Sequence, residues 1–126
     1  MALSISNIVA DVGSVYCVQT DATVSVDTLK ASSGKIFKVE IDNTANTAAV
    51  FVKLWDTTGS VTVGGTHADD DPDFSFKCPA SALRVYSCPS GAAFAVGAKA
   101  ACVTDGGGTA GTTSPTNDVI YRIQLS

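Results

Sequence analysis

Charge is what this chain has least of. Only 16% of its 126 residues are Asp, Glu, Lys or Arg, against roughly 25% in an ordinary soluble domain. The basic residues, Lys30, Lys35, Lys38, Lys53, Lys77, Arg84, Lys99 and Arg122, are scattered and form no cluster. Phosphate binding draws on concentrated Lys and Arg, so nucleic acid is not an expected partner. The net charge of −4 also disfavours an anionic membrane surface. No apolar run approaches the roughly 20 residues of a membrane span. The start, Met1-Ala2-Leu3-Ser4-Ile5-Ser6, lacks the basic and apolar regions of a signal peptide, so synthesis in a cytoplasm is expected.

The chemistry-bearing signatures are missing as well. His67 is the single histidine, and a transition-metal site needs several nitrogen or sulfur ligands. The run Asp69-Asp70-Asp71 lacks the alternating donors and closing carboxylate of a calcium loop. No Gly-x-Ser-x-Gly elbow is present. Gly106-Gly107-Gly108 is not followed by the Lys-Ser/Thr of a phosphate-binding loop. These absences predict no enzyme, no metal and no cofactor. Cys17, Cys78, Cys88 and Cys102 contain no Cys-x-x-Cys pair, which argues against a zinc cage. Three disulfide pairings are open to them, and free buried thiols are the default without a secretory signal.

What is there is period two. Val15–Gln19 is a short apolar run. Val24 and Val26 alternate with polar residues over Thr23–Leu29, as do Phe37, Val39 and Ile41 over Lys35–Asn43. Further strands are expected over Val50–Trp55, Asp73–Cys78, Ala82–Cys88, a piece around Phe94, Ala98–Thr104 and Val119–Leu125. In the last of these, Val119, Tyr121, Ile123 and Leu125 face inward. Helix is limited to a short turn near residues 6–11 or 79–82. About eight short strands in one small domain predict an all-β fold, a single antiparallel β-sandwich of jelly-roll type over residues 1–126. An immunoglobulin-like sandwich is the second choice, without the Cys-Trp-Cys spacing of that class. Residues 1–11 read as an N-terminal arm. Asp56–Pro72 and Asp105–Asn117 are long Gly- and Thr-rich loops of the kind that carry function.

Two places are distinctive. Val50, Val52 and Leu54 share one face of their strand, leaving Phe51, Lys53 and Trp55 on the other. That second face is either covered or meets a partner, and Phe51 and Trp55 are the expected partner contacts. The segment Ile41-Asp42-Asn43-Thr44-Ala45-Asn46 then places two strands around a polar turn. Asp42, Asn43 and Asn46 are suited to close it with side-chain-to-backbone hydrogen bonds.

This segment, with Val52-Lys53-Leu54-Trp55-Asp56, Val63-Gly64-Gly65-Thr66, Gly91-Ala92-Ala93-Phe94-Ala95-Val96-Gly97 and Val103-Thr104-Asp105, resembles small structural proteins of tailed bacteriophages over roughly residues 35–125. Cys78, Cys88 and the stretch Asp69–Pro72 depart from that pattern. The resemblance implies a non-enzymatic virion component, foremost a capsid decoration or cement protein. Such a protein would bind the outer surface of the major capsid protein lattice as a homodimer or homotrimer and clamp neighbouring capsomers. The alternatives are a glycan- or receptor-binding module of a fibre or tail, using Trp55 with Asp56 or Tyr86 as its platform, and a tail or head-tail connector component.

Overall fold

The computed structural model describes residues 3–7, 15–106 and 111–126. The described strands are β1 (Leu3–Asn7), β2 (Val15–Gln19), β3 (Asp27–Lys30), β4 (Gly34–Asp42), β5 (Val50–Trp55), β6 (Phe74–Cys78), β7 (Leu83–Phe94), β8 (Ala98–Val103) and β9 (Ile120–Leu125). They form two antiparallel sheets, ordered β1-β2-β9-β4-β7 and β3-β8-β5-β6. Pairing is nested: β2 with β9, β3 with β8, β4 with β7, β5 with β6. A hairpin of four strands on four, rolled so that β9 also meets β4 and β8 also meets β5, is a jelly roll. β1 extends one layer by a strand beyond this eight-strand unit.

The period-two pattern explains the core. Val39, Ile41, Tyr121, Ile123 and Leu125 from one sheet meet Val50, Val52, Leu54, Ala100 and Cys102 from the other. Each fully buried Val, Ile or Leu contributes about 1.5–3 kcal/mol by leaving water. Small Ala98, Ala100 and Cys102 on β8 leave room for larger neighbours on β4 and β9. One polar cluster interrupts this core. Asp27 Oδ2 accepts hydrogen bonds from Gln19 Nε2 (3.0 Å) and the Tyr121 hydroxyl (2.8 Å), so the buried polar atoms satisfy one another. Burial, and then the neighbouring Asp27 charge, push the Tyr121 hydroxyl pKa well above its ordinary value.

Four details differ from the sequence reading. The two expected pieces Ala82–Cys88 and the one around Phe94 are a single strand, β7. They are joined by a wide bulge in which residues 88–91 oppose Phe37 of β4, and this irregularity accommodates Pro89 and a Gly91 at φ +80°. Residues 23–26 lie outside the strand, with the Val24 N–H bonded to Ser114 Oγ at 3.0 Å, although the Thr23 carbonyl still accepts the Cys102 N–H of β8 at 2.8 Å. Residues 79–82 make a non-helical turn with Ser81 at φ 54°, and a single 3-10 turn instead occupies Ala68–Asp70. Within the expected arm, Leu3–Asn7 is strand paired with β2; residues 1–2 and 8–11 lie outside the described residues.

Candidate interaction surface

The outer face of the four-stranded sheet is covered by the chain's own loops. Trp55 is 1% exposed, and its indole N–H donates to the Asp70 carbonyl at 2.8 Å. Asp70, itself buried, accepts the Thr62 N–H at 2.9 Å through Oδ1. A side chain at position 65 would place its Cβ 2.1 Å from Asp70 Oδ2, so Gly65 is what lets the loop close over the ring. The expected partner contact at Trp55 is therefore corrected: the ring is a core residue of the loop 56–73, spent on holding that loop down. Phe51 is half-buried against Gly106, where an added Cβ would lie 2.8 Å from the ring. The Lys77 ammonium stands 6.0 Å from its centroid, the outer limit of a cation–π contact. Lys53 between them is buried; burial lowers its pKa and the Asp105 charge acts against that shift.

Asp56 is likewise engaged. Its carboxylate accepts the backbone N–H groups of Ala95 (2.8 Å), Val96 (2.8 Å) and Gly97 (3.2 Å). Burial acts to raise its pKa, but the three donors outweigh it and hold the group below the ordinary aspartate value. Its own N–H donates to Asp73 Oδ2 at 2.6 Å. Trp55 and Asp56 thus do not form an open sugar platform. Tyr86, half-buried, stacks on Phe76 and donates its hydroxyl to the Lys77 carbonyl.

The polar turn after β4 works as a knot. Asp42 Oδ1 accepts from the Thr44 N–H (3.0 Å) and hydroxyl (2.6 Å), which lowers its pKa. Buried Asn43 donates to the carbonyls of Ala48 (2.9 Å) and Pro79 (3.0 Å). Buried Asn46 donates to Asn43 Oδ1 (3.0 Å) and the Asn117 carbonyl (3.1 Å), and accepts the Asn117 N–H (2.8 Å). Three connections, β4–β5, β6–β7 and the one before β9, are pinned at this end of the sandwich. This is structural chemistry at the very residues that carry the sequence resemblance.

His67 is exposed, and among the described residues no three His, Cys, Asp or Glu side chains converge on a metal position. All four cysteines are free thiols, three buried and Cys88 half-buried. Burial pushes the Cys17 pKa up to about 11 and that of Cys102 up to about 12.

Among the described residues, the outer face of the five-stranded sheet is only half-buried at Tyr16, Lys38, Glu40, Arg122 and Gln124. Its centre holds an ion pair, Arg122 Nη1 to Glu40 Oε2 at 2.7 Å, half in water, flanked by Tyr16, Lys38 and Gln124. Toward the free edge, Leu83 and Val85 of β7 are 48% and 46% exposed and share this face with Asp42 and Glu40, their register partners on β4. The sequence did not single these two out. In Leu83-Arg84-Val85-Tyr86 apolar groups alternate with Arg and Tyr, and either set can face in. Comparison with known proteins finds no matching family model, no matching curated protein and no matching solved structure.

Proposed function

We propose that this chain is a non-enzymatic structural protein of a tailed-phage virion. It is a capsid decoration or cement protein, made in the host cytoplasm, that binds the outer surface of the major capsid protein lattice and clamps neighbouring capsomers. The observation that carries the reading is the asymmetry of the sandwich. Long loops seal one sheet, while among the described residues the other keeps a half-exposed outer face with an apolar edge at Leu83 and Val85. The tailed-phage resemblance of residues 35–125 points the same way. A two-layered body with one half-exposed sheet face suits attachment to a repeating surface. Contacts of roughly 800 Å² per partner, repeated by symmetry, give firm attachment from modest single affinities. A ligand that binds the assembled lattice and not its free subunits stabilises the assembly by mass action. The glycan-module alternative loses its platform, because Trp55 and Asp56 are occupied within the fold.

The test is sedimentation of the purified chain with mature, empty capsids of the virus that encodes it. Saturable co-sedimentation at a fixed ratio to the major capsid protein, with a raised melting temperature of the shell, is the expected result. Absence of the chain from purified virions, or no binding to any capsid form, overturns the proposal.

A further inference from the structure

Among the described residues, β7 is a sheet edge with one hydrogen-bonded neighbour, β4. The phase of that ladder says which of its backbone groups are unused. The Asn43 N–H bonds to the Ala82 carbonyl at 2.8 Å, and the register then runs Asp42↔Leu83, Ile41↔Arg84, Glu40↔Val85, Val39↔Tyr86, Lys38↔Ser87. Bonded and non-bonded pairs alternate in an antiparallel ladder. Arg84 and Tyr86 therefore exchange bonds with β4. Leu83, Val85 and Ser87 turn their N–H and C=O groups to the open side. The open run is bounded. Beyond Ser87 the strand bulges through Pro89, which has no N–H, and before Leu83 lies the Ser81 turn.

An open row of alternating donors and acceptors is complementary to one thing, another extended strand. Two of the four exposed large hydrophobics among the described residues, Leu83 and Val85, stand on this same short run. Ile5 and Val96 stand elsewhere. Natural edges are commonly blunted by charge, yet Arg84 is the only ionised side chain between Leu83 and Ser87.

We propose that β7 pairs with β7 of a second copy of this chain, antiparallel about a two-fold axis at Val85, joining the two five-stranded sheets edge to edge. The run is self-complementary in that arrangement. Val85 faces Val85 of the partner subunit, and Leu83 faces the partner's Ser87. Each such pair exchanges two N–H···O bonds. On the outer face Leu83 and Val85 of both copies merge into one apolar stripe. On the other side Arg84 lies opposite the partner's Tyr86, so no like charges are set against each other. A two-fold contact of this kind is closed, because it consumes the edge it uses. Pairing β7 onto the β1 edge of another copy would instead repeat without end. The inference deepens the self-association within the proposed function, and its test uses the purified chain without capsids, so the two can fail separately.

The test exploits the residue on the axis. Sedimentation equilibrium of the full chain, from low micromolar to near-millimolar concentration, should show a monomer–dimer equilibrium. Val85→Lys and Val85→Glu each put like charges face to face and should weaken the dimer at least about tenfold. Mixing the two variants should restore a one-to-one heterodimer. Val85 points to solvent, so both variants should keep the wild-type circular dichroism and melt cooperatively. A variant that does not fold would be replaced by Val85→Pro, which removes only the outward N–H. A wild-type monomer at every concentration, a trimer, a dimer unaffected by Val85→Lys, or lysine and glutamate variants that do not recombine overturns the proposal.

Discussion

Removing the Asn46 side chain should unlock one end of the sandwich. In Asn46→Ala three hydrogen bonds disappear: two donated to Asn43 Oδ1 and the Asn117 carbonyl, and one accepted from the Asn117 N–H. Their consequences are unequal. Asn117 is exposed, so water replaces its lost partners at little cost. Asn43 is fully buried, and its Oδ1 would be left without its Asn46 donor. A buried polar atom without a partner costs about 1–3 kcal/mol, and the small void adds to this. The expected loss is about 2–3 kcal/mol, a large share of the roughly 5–15 kcal/mol that holds a domain folded. With a urea slope of about 1–3 kcal/mol per molar, the midpoint should fall by about 1 M or more.

Asn46→Asp separates the hydrogen-bond argument from mere size. The oxygen facing the Asn117 N–H is kept, both donors are lost, and a carboxylate oxygen comes to stand where a nitrogen lies 3.0 Å from Asn43 Oδ1. This nearly isosteric change should cost at least as much as alanine at pH 7. Repulsion raises the new carboxyl's folded pKa above its unfolded value of about 3.9. The penalty is then full above the folded pKa and shrinks as pH falls through it, because the protonated acid can donate to Asn43. Urea titrations at pH 7 and pH 4.5, followed by Trp55 fluorescence, read both effects. An alanine variant within about 0.5 kcal/mol of wild type, or an aspartate variant as stable as wild type at pH 7, would refute the reasoning.

Other perturbations probe the covered sheet and the thiols. Trp55 emission should be blue-shifted and resistant to acrylamide; Trp55→Ala should cost about 3–5 kcal/mol, and Trp55→Phe about 1–3 kcal/mol because the Asp70 carbonyl loses its donor. An unchanged melting temperature in either variant would place the ring outside the core. In the native protein at pH 8 one thiol per chain, Cys88, should react with a disulfide reagent, and all four after unfolding; a second fast thiol would contradict the burial that raises Cys17, Cys78 and Cys102. Asp56 has a depressed folded pKa, so its contribution is present above the ordinary aspartate value and is lost as pH falls through the depressed one. Asp56→Ala should cost about 1–2 kcal/mol at pH 7, below the sum of three charged hydrogen bonds because the site is solvent-screened. It should also flatten the acid limb of the stability curve, and a variant with the wild-type acid limb would rule the assignment out.

The layers of the sandwich were legible because its central strands are wet on one side. Val39 and Ile41 on β4, and Val119 to Leu125 around β9, announce both strand and face by alternation, whereas an irregularity at Phe37 breaks the pattern and Ile36 takes the buried place. The jelly-roll order follows less directly, since nesting depends on which strands pair across long separations, and no short window encodes that. The knot at Asp42, Asn43 and Asn46 was visible as turn chemistry, although its reach to Asn117 was not, because that partner lies 71 residues on in the chain. Phe51 and Trp55 misled for a definite reason. A strand with apolar residues on both faces is covered on both, and the sequence does not say whether the second cover is another protein or a loop of the same chain.

That second cover also changes what the shortage of charge means. Phe51, Lys53 and Trp55 on β5, with Ala101 and Val103 beside them on β8, form a sheet face that would ordinarily be wet. Here it is closed by the chain's own segments, so part of the missing charge has an internal cause. The other sheet's outer face behaves conventionally at its centre, with the Glu40–Arg122 pair and Lys38 half-exposed. Along β7, backbone donors and acceptors, Leu83 and Val85 are all left facing solvent. An edge that leaves open backbone groups and two large apolar side chains together in water locates a partner more sharply than composition can, and it demands a strand before it demands any particular side chain.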